Sequence, residues 1–320
     1  MKHHTMEPPT RKRGSGAPRP SRTTRTPRLS SQQRMALRGW AYVAPATVVL
    51  VGLFMVPLGL ALWMSLFDWP LIGNAPTFNF PENYLDLPED QLFMDALGFT
   101  AKYTLIVTVI LLSLSLFLAI IVQESKRRAT GLLRTAFFLP VVTGLTTASL
   151  LFVGLLSPSA GPLDDILDMF GVEVDFLGDP TMALMSTVTM MTWRFAGFYM
   201  IILLAGLQAI PREIYEAAAV DGARRWRTLW SVTIPLIRPN LALSTVLIVT
   251  GGLVAFEQFY VMTRGGPDNS TVTIVMTIFR QAFSQFHLGT AAAMSVVVLV
   301  GLVVINVVQL KLMKDPEGEK

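Results

Sequence analysis

The sequence predicts an all-α integral membrane protein with six transmembrane helices and both termini in the cytoplasm. The first observation is composition: 52% of the 320 residues are hydrophobic and only 15% are charged, a balance typical of membrane proteins. The second is a series of six apolar blocks, each near the roughly 20 residues that cross a hydrocarbon core of about 30 Å. The third is that most lysines and arginines fall on one side of the resulting arrangement.

The six blocks are all expected to be helices, because separate spans in lipid can satisfy their backbone polar groups only internally. The first block is too long for a cleaved signal core of about 7–15 residues, so it is expected to be a retained anchor. In chain order the blocks lie near Trp40–Leu66, Gly98–Val122, Leu132–Leu156, Met182–Gln208, Leu241–Met262 and Leu288–Leu310.

The domain organisation follows from these blocks. Residues 1–39 are rich in Pro, Ser, Thr and Arg and are expected to form a disordered basic cytoplasmic tail. The tail either sets orientation or also binds anionic lipid. The transmembrane domain covers residues 40–314, with a cytoplasmic elbow at 211–239, and residues 315–320 form a short C-terminal tail.

Charge predicts the orientation of the spans. The basic residues concentrate in the N-terminal tail, the loop from Lys126 to Arg134, the segment 212–238 and the C-terminal pair Lys311 and Lys314. Cytoplasmic loops carry such an excess. The opposite loops are acidic, around 82–95 and 164–179. Topology therefore accounts for the net charge of +4, which gives no reason to expect a nucleic-acid partner.

Several kinds of chemistry are not expected in this chain. It contains no cysteine, and only His287 lies outside the tail, so neither a thiol nucleophile nor a metal site is predicted. No Gly-Lys-Ser/Thr phosphate loop occurs. We expect no catalytic residue and no cofactor in the chain, so any ATP that powers it must bind another subunit.

The segment 211–239 predicts a helix–turn–helix elbow between the fourth and fifth spans. Pro211 can open a helix, and Gly222 can end it in a left-handed conformation. A second helix carries the basic run around Trp226, and Pro235 and Pro239 are expected to stop it. Three consecutive alanines would let a partner approach closely. The alternative is an amphipathic elbow that only joins two spans.

The elbow resembles the cytoplasmic coupling segment of ABC importer permeases. Glu216-Ala217-Ala218 is followed by Asp221-Gly222-Ala223 and by a proline pair four residues apart, as in that family. Leu229 departs from the pattern, where an aromatic residue is common, and Trp230 follows it directly. Four further stretches resemble carbohydrate-uptake permeases, namely Ala44-Pro45, Leu139-Pro140, Leu204–Pro211 and Phe256–Pro267.

This resemblance extends from about Trp40 to Leu310 and is greatest to the first permease of maltose, lactose and glycerol-phosphate systems. It implies a type I importer permease fold in the bacterial inner membrane. The implied partners are a second permease, two ABC ATPases that bind ATP and Mg, and an extracytoplasmic solute-binding protein that delivers a sugar. The residues implied to dock on an ATPase are Glu216, Ala217, Ala218, Asp221, Gly222 and Ala223.

The solute pathway is predicted from polar and aromatic residues inside the spans. Ionisable groups there usually face protein or a water-filled cavity. Aromatic rings can stack on sugar faces, and polar groups can bond to hydroxyls. The candidates are Trp193, Arg194, Thr250, Glu257, Gln258 and Tyr260. Alternatively, Arg194 pairs with an acid for structure, Glu257 extends toward water, and Thr250-Gly251-Gly252 forms a helix-packing surface.

Two other classes of protein remain as alternatives. An ion-driven secondary transporter would carry repeated halves with broken helices at matched positions, and no convincing internal repeat is visible. A membrane-anchored interaction protein would use the elbow to bind a soluble partner without transport. Among ABC importers, the alternative is a permease for glycerol phosphate or another non-sugar solute such as a polyamine.

Overall fold

The computed structural model describes residues 31–73, 75–124, 127–158 and 161–313. The chain divides between Val56 and Pro57 into two units. The described part of the first unit is helical, with α1 over Ser31–Leu50 and a π-helical turn over Val51–Met55. Residues 1–30 of the predicted N-terminal tail and the whole predicted C-terminal tail, 315–320, lie outside the described residues, and the first helix begins at Ser31.

Helices make up nearly all the remaining regular structure. A short antiparallel pair, β1 (Phe67–Asp68) with β2 (Thr77–Phe78), follows α2 (Val56–Met64). The other helices are α3 (Glu82–Leu85), α4 (Gln91–Glu124), α5 (Arg127–Phe138), α6 (Leu145–Leu155), α7 (Pro162–Asp168), α8 (Pro180–Ala209), α9 (Arg212–Val220), α10 (Arg225–Thr228), α11 (Ile234–Leu236), α12 (Arg238–Leu253), α13 (Glu257–Met262), α14 (Ile274–Phe283) and α15 (Leu288–Met313).

The helical membrane fold is confirmed, with a qualification about the number of straight spans. Four helices are long and apolar enough to cross a membrane: Tyr42–Met64, Gln91–Glu124, Pro180–Ala209 and Leu288–Leu312. Two further candidates are bent pairs, Thr130–Val142 with Leu145–Leu155 and Arg225–Leu236 with Arg238–Leu253. Six spans result if each bent pair counts as one.

The expectation of one continuous third helix over Leu132–Leu156 is wrong. A 3₁₀ turn over Leu139–Val142 follows α5, and Thr143 and Gly144 are extended. The two helical arms therefore meet at 93°. Pro140 lacks the N–H that would continue an α-helical ladder, which explains the change at this point. With 11 residues, α6 is only about 16 Å long.

The expected fifth helix over Leu241–Met262 is also interrupted. Helix α12 ends at Leu253, residues 254–256 are non-helical, and α13 begins at Glu257. Gly251 and Gly252 occupy the last turn of α12, and glycine is a poor helix former. The break therefore falls where the local sequence supports a helix least.

The core of the second unit lies between α4 and α8, which pack together more extensively than any other pair of described helices. Tyr103 of α4 is fully buried, and its ring meets that of Phe259 edge-on at 4.8 Å. The Ser115 hydroxyl donates to the Ala196 carbonyl at 3.0 Å. A Cβ at Gly197 would collide with the Phe137 carbonyl oxygen. Small residues thus allow close helix approach, as is common in membrane proteins.

Candidate coupling elbow and solute cavity

The first arm of the elbow is α9, and its end matches the sequence prediction. Pro211 is the N-cap, and the helix ends at Asp221. Gly222 has φ +75°. The Ala223 N–H donates to the Ala218 carbonyl at 2.9 Å, and the Gly222 N–H donates to the Ala219 carbonyl at 3.1 Å. This pair of bonds defines a Schellman motif, which favours glycine at its left-handed position.

The residues implied to dock on an ATPase form an accessible corner. Glu216, Ala217, Asp221 and Gly222 are exposed, and Ala218 and Ala223 are half-buried. A Cβ at Gly222 would meet nothing within 4 Å, so backbone conformation, rather than space within this chain, selects glycine there. Val220 beside it is 88% exposed. The geometry is that of a small, accessible corner formed mainly by small side chains.

The second arm differs from the prediction at its prolines. Helix α10 continues through a π-helical turn, Leu229–Thr233, into α11, so the helix passes through Pro235 rather than stopping there. The Ile234 N–H donates to the Leu229 carbonyl five residues back, which makes this turn wider than an α-helical one. The wide turn comes directly before Pro235, which has no backbone N–H to donate. The break comes at Ile237, and Pro239 lies in the first turn of α12.

The elbow lies against the end of α4. A groove of about 570 Å³ separates them, and Ala223, Arg225 and Trp226 line it from the elbow side. From α4 it is lined by Ile120, Gln123 and Glu124. Trp226 is 71% exposed and meets Trp230 at 6.0 Å between ring centroids. A displacement of the elbow would therefore occur next to the end of α4, the helix that continues into the core.

A second cavity, of about 380 Å³, lies among α4, α8, α12, the start of α6, and the break before α13 with the first residues of that helix. It brings together two of the predicted pathway residues, Glu257 and Gln258. Gln258 is only 2% exposed, and its amide donates to the Tyr103 hydroxyl at 3.3 Å. The aromatic lining residues are Tyr103, Phe195, Tyr199 and Phe256. The cavity thus offers ring faces and hydrogen-bonding groups side by side.

Arg194 lies next to this cavity without lining it. Its guanidinium donates to the Thr143 carbonyl from Nε at 3.1 Å and from Nη2 at 2.8 Å. The same Nη2 lies 3.5 Å from the Val141 carbonyl. The guanidinium also lies over the Phe195 ring, 4.3 Å from its centroid. The hydrogen-bond partners of Arg194 are therefore backbone carbonyls at the bend, and the acid that the structural alternative expected is represented by Glu257, which interacts electrostatically with the guanidinium without a hydrogen bond to it.

The other three predicted pathway residues are not among those that line the cavity. The Thr250 hydroxyl donates to Asn306 of α15 at 3.0 Å. Trp193 packs on Phe152 at 5.6 Å between ring centroids. Tyr260 stacks on Phe256 at 5.1 Å.

The packing alternative for Thr250-Gly251-Gly252 also finds support in the geometry. A Cβ at Gly252 would press on the Thr104 side chain, which places that glycine at a close contact between α12 and α4.

Sequence reasoning missed several groups around this cavity. Tyr103 could have been found, since it is a polar aromatic residue within an apolar block. Thr146 could not, because threonine is common in spans and only the fold brings its hydroxyl to the Glu257 carboxylate, to which it donates. Across the described parts of the chain, no three His, Cys, Asp or Glu side chains cluster as metal ligands would.

Comparison with known proteins identifies relatives that match over most of their length. Residues 115–314 match the model of the family described as "Binding-protein-dependent transport system inner membrane component". The lactose transport system permease protein LacF of Rhizobium radiobacter is 33% identical over 290 residues, covering 89% of this chain and 96% of the relative. The sn-glycerol-3-phosphate permease UgpA of Escherichia coli is 33% identical over 270 residues, covering 84% and 91%.

The fold also matches a solved structure. A chain in the crystal structure of a bacterial ABC transporter that imports the acidic polysaccharide alginate superposes with a TM-score of 0.77. The two chains share 23% sequence identity, and the match covers 89% of this chain and 98% of the other. At this identity the match shows a shared fold.

Proposed function

Because the chain belongs to the family of binding-protein-dependent transport system inner membrane components, we propose that it is a permease subunit of an ATP-driven sugar importer. It forms half of the translocation pathway in a multi-pass arrangement in a bacterial inner membrane. The observation that carries this proposal is the elbow, where an exposed alanine-rich helix ends in a glycine turn.

The elbow suits mechanical coupling to a soluble ATPase. Its corner has small side chains at Ala217, Ala218 and Gly222, so a cleft in a partner can enclose the backbone closely. Asp221 and Glu216 supply exposed charges at its edge. The two arms are joined by a hydrogen-bonded turn, so displacement of the corner moves both. If the elbow were only a connector between two spans, its exposed corner of small residues would have no explanation.

The cavity supports a neutral sugar as the solute. Aromatic faces such as Phe195 and Tyr199 stack on sugar rings, and Glu257 and Gln258 can bond to hydroxyls. Among the described residues that line it there is no lysine or arginine. Phosphate is usually bound by such cations, so the lining favours a sugar over glycerol phosphate, despite the similarity to UgpA.

The remaining subunits follow from the same proposal. A solute-binding protein delivers the sugar, a second permease completes the pathway, and two ABC ATPases bind ATP and Mg. The chain itself supplies no ATPase site. Membrane lipid surrounds the assembly.

The test is to purify the chain from native membranes, identify co-purifying proteins by mass spectrometry, and reconstitute them in liposomes with ATP inside. We expect a second permease and an ATPase to co-purify, and labelled sugar to enter when the binding protein is added outside. Vanadate trapped inside should stop this uptake. A chain that purifies alone and transports on an ion gradient would replace the proposal with a secondary transporter.

A further inference from the structure

We propose that Arg194 and Thr146 are positioning residues that tie together the two broken membrane segments beside the solute cavity. Arg194 holds the bend before α6, and Thr146 joins α6 to Glu257 at the start of α13. Neither Arg194 nor Thr146 is among the residues that line the cavity. The inference rests on the proposed function, because the cavity is taken as part of the solute pathway.

The first tie satisfies backbone groups that the bend exposes. The change from α5 through a 3₁₀ turn to extended residues leaves the carbonyls of Val141 and Thr143 outside an α-helical ladder. A carbonyl left without a hydrogen bond within a bilayer is strongly unfavourable. Arg194, from the middle of α8, donates to both carbonyls. A planar guanidinium can donate to two carbonyls at once because its several N–H groups have a fixed geometry. A lysine ammonium is a compact point charge and lacks this fixed arrangement.

The second tie joins the two short helices that follow the breaks. The Thr146 hydroxyl, in the first turn of α6, donates to Oε1 of Glu257, the first residue of α13. Helices α6 and α13 also pack extensively along each other. A hydrogen bond to a charged group is among the stronger kinds in proteins. The bond therefore fixes where α13 restarts relative to the bend.

Both ties act on the cavity through the break in the fifth span. Residues Val254, Ala255 and Phe256 form that break, and all three line the cavity. Backbone hydrogen bonds tie them only to the neighbouring helix ends: the N–H groups of Val254 and Ala255 donate back into α12, and the Phe256 carbonyl accepts from Tyr260 of α13. The position of Glu257 directly after them sets one end of the break, while α12 sets the other. Release of Thr146 or Arg194 should therefore loosen this wall of the cavity.

A cysteine in place of Ala255 allows the opening of this cavity wall to be measured. Ala255 is 2% exposed, cysteine is close to it in size, and the chain has no other cysteine. In Ala255→Cys, reaction with N-ethylmaleimide requires the wall to open, so the labelling rate reports the population of open states. The experiment uses membrane vesicles that contain the full transporter with all its subunits.

We expect Thr146→Val and Glu257→Ala each to raise the labelling rate about tenfold, the size expected when a hydrogen bond to a charged group is lost. The double variant should be no faster than Glu257→Ala alone, since that substitution already removes the bond to Thr146 together with the charge that acts on Arg194. Arg194→Lys should also raise the rate. Thr147→Val is the matched control, because the Thr147 side chain makes no hydrogen bond among the described residues, and it should leave the rate unchanged.

Rates that multiply in the double variant, or that stay at the control value, would overturn the inference. A variant that fails to insert is recognised by its absence from the vesicles, and Glu257→Gln, which keeps an acceptor oxygen, then replaces Glu257→Ala with a smaller expected increase. Labelling requires no knowledge of the solute. Failure of the proposed function would show separately, as absence of an ATPase from the purified complex.

Discussion

At the scale of single residues, Gly222 is the position where conformation and proposed function coincide. Its φ of +75° disfavours any side chain, and the space around it is open within this chain. A left-handed conformation costs an ordinary residue about 1–2 kcal/mol, which an exposed turn tolerates. A large side chain there would instead obstruct whatever encloses the corner of the elbow.

We therefore expect Gly222→Trp to abolish sugar uptake while the protein still inserts and accumulates normally. Uptake and ATP hydrolysis are measured in the reconstituted complex, and hydrolysis should no longer respond to the loaded binding protein. Gly171→Trp is the matched control, since Gly171 also has positive φ, +68°, and open space around it, but follows α7, away from the elbow. Normal uptake by Gly222→Trp, or an equal loss in the control, would contradict the coupling role.

The turn at Gly222 could be predicted from sequence because a single residue type carries the signal. The partners of Arg194 could not be, because its acceptors are backbone carbonyls that become available only when the third span bends. Thr250 could not be placed from sequence either. Its position within a span predicted a place on the solute pathway, but in the structure its hydroxyl donates to Asn306 on another helix.

At the scale of elements, the bends are what hydrophobic patterning failed to reveal. A run of apolar residues indicates that a segment lies in the membrane, but it does not indicate the direction of the helix axis. The run Leu132–Leu156 therefore predicted one helix, whereas the structure has two helical arms that meet at 93°. Pro140 was visible in the sequence, yet proline also occurs within continuous membrane helices. The number of crossings could thus be proposed from sequence, whereas the path of the chain within the third and fifth crossings could not.

The contact between α8 and the end of α5 supplies a prediction at this scale. Since a Cβ at Gly197 would collide with the Phe137 carbonyl, Gly197→Ala must force the two helices apart. Overpacking of this kind costs about 1–3 kcal/mol, so the thermal midpoint of the purified complex in detergent should fall.

Gly98→Ala is the control for this contact. Gly98 lies on the long helix α4, and a Cβ there would meet nothing within 4 Å, so the better helix propensity of alanine should leave the midpoint equal or higher. A midpoint for Gly197→Ala that matches that of Gly98→Ala would show that the contact between α5 and α8 is loose.

At the scale of the whole molecule, the charge distribution and the bent helices make one joint prediction about topology. The acidic segment around α7 is expected outside the membrane, and the C-terminal end of α15 is expected in the cytoplasm. Between them lie α8, the bent pair of the elbow with α12, and α15. The C-terminus reaches the cytoplasm only if the bent pair crosses the membrane as one span, because without that crossing both positions would lie on the same side.

Single cysteines can decide this, because the chain has none of its own. Met169 is 83% exposed and Leu312 is 79% exposed, so Met169→Cys and Leu312→Cys should both react readily when reached. We expect a membrane-impermeant maleimide to label Met169→Cys in intact spheroplasts, and Leu312→Cys only after the membrane is permeabilised. Labelling of both in intact spheroplasts would mean that the elbow and α12 enter the membrane and return on the same side, which would leave five crossings and place the C-terminus outside.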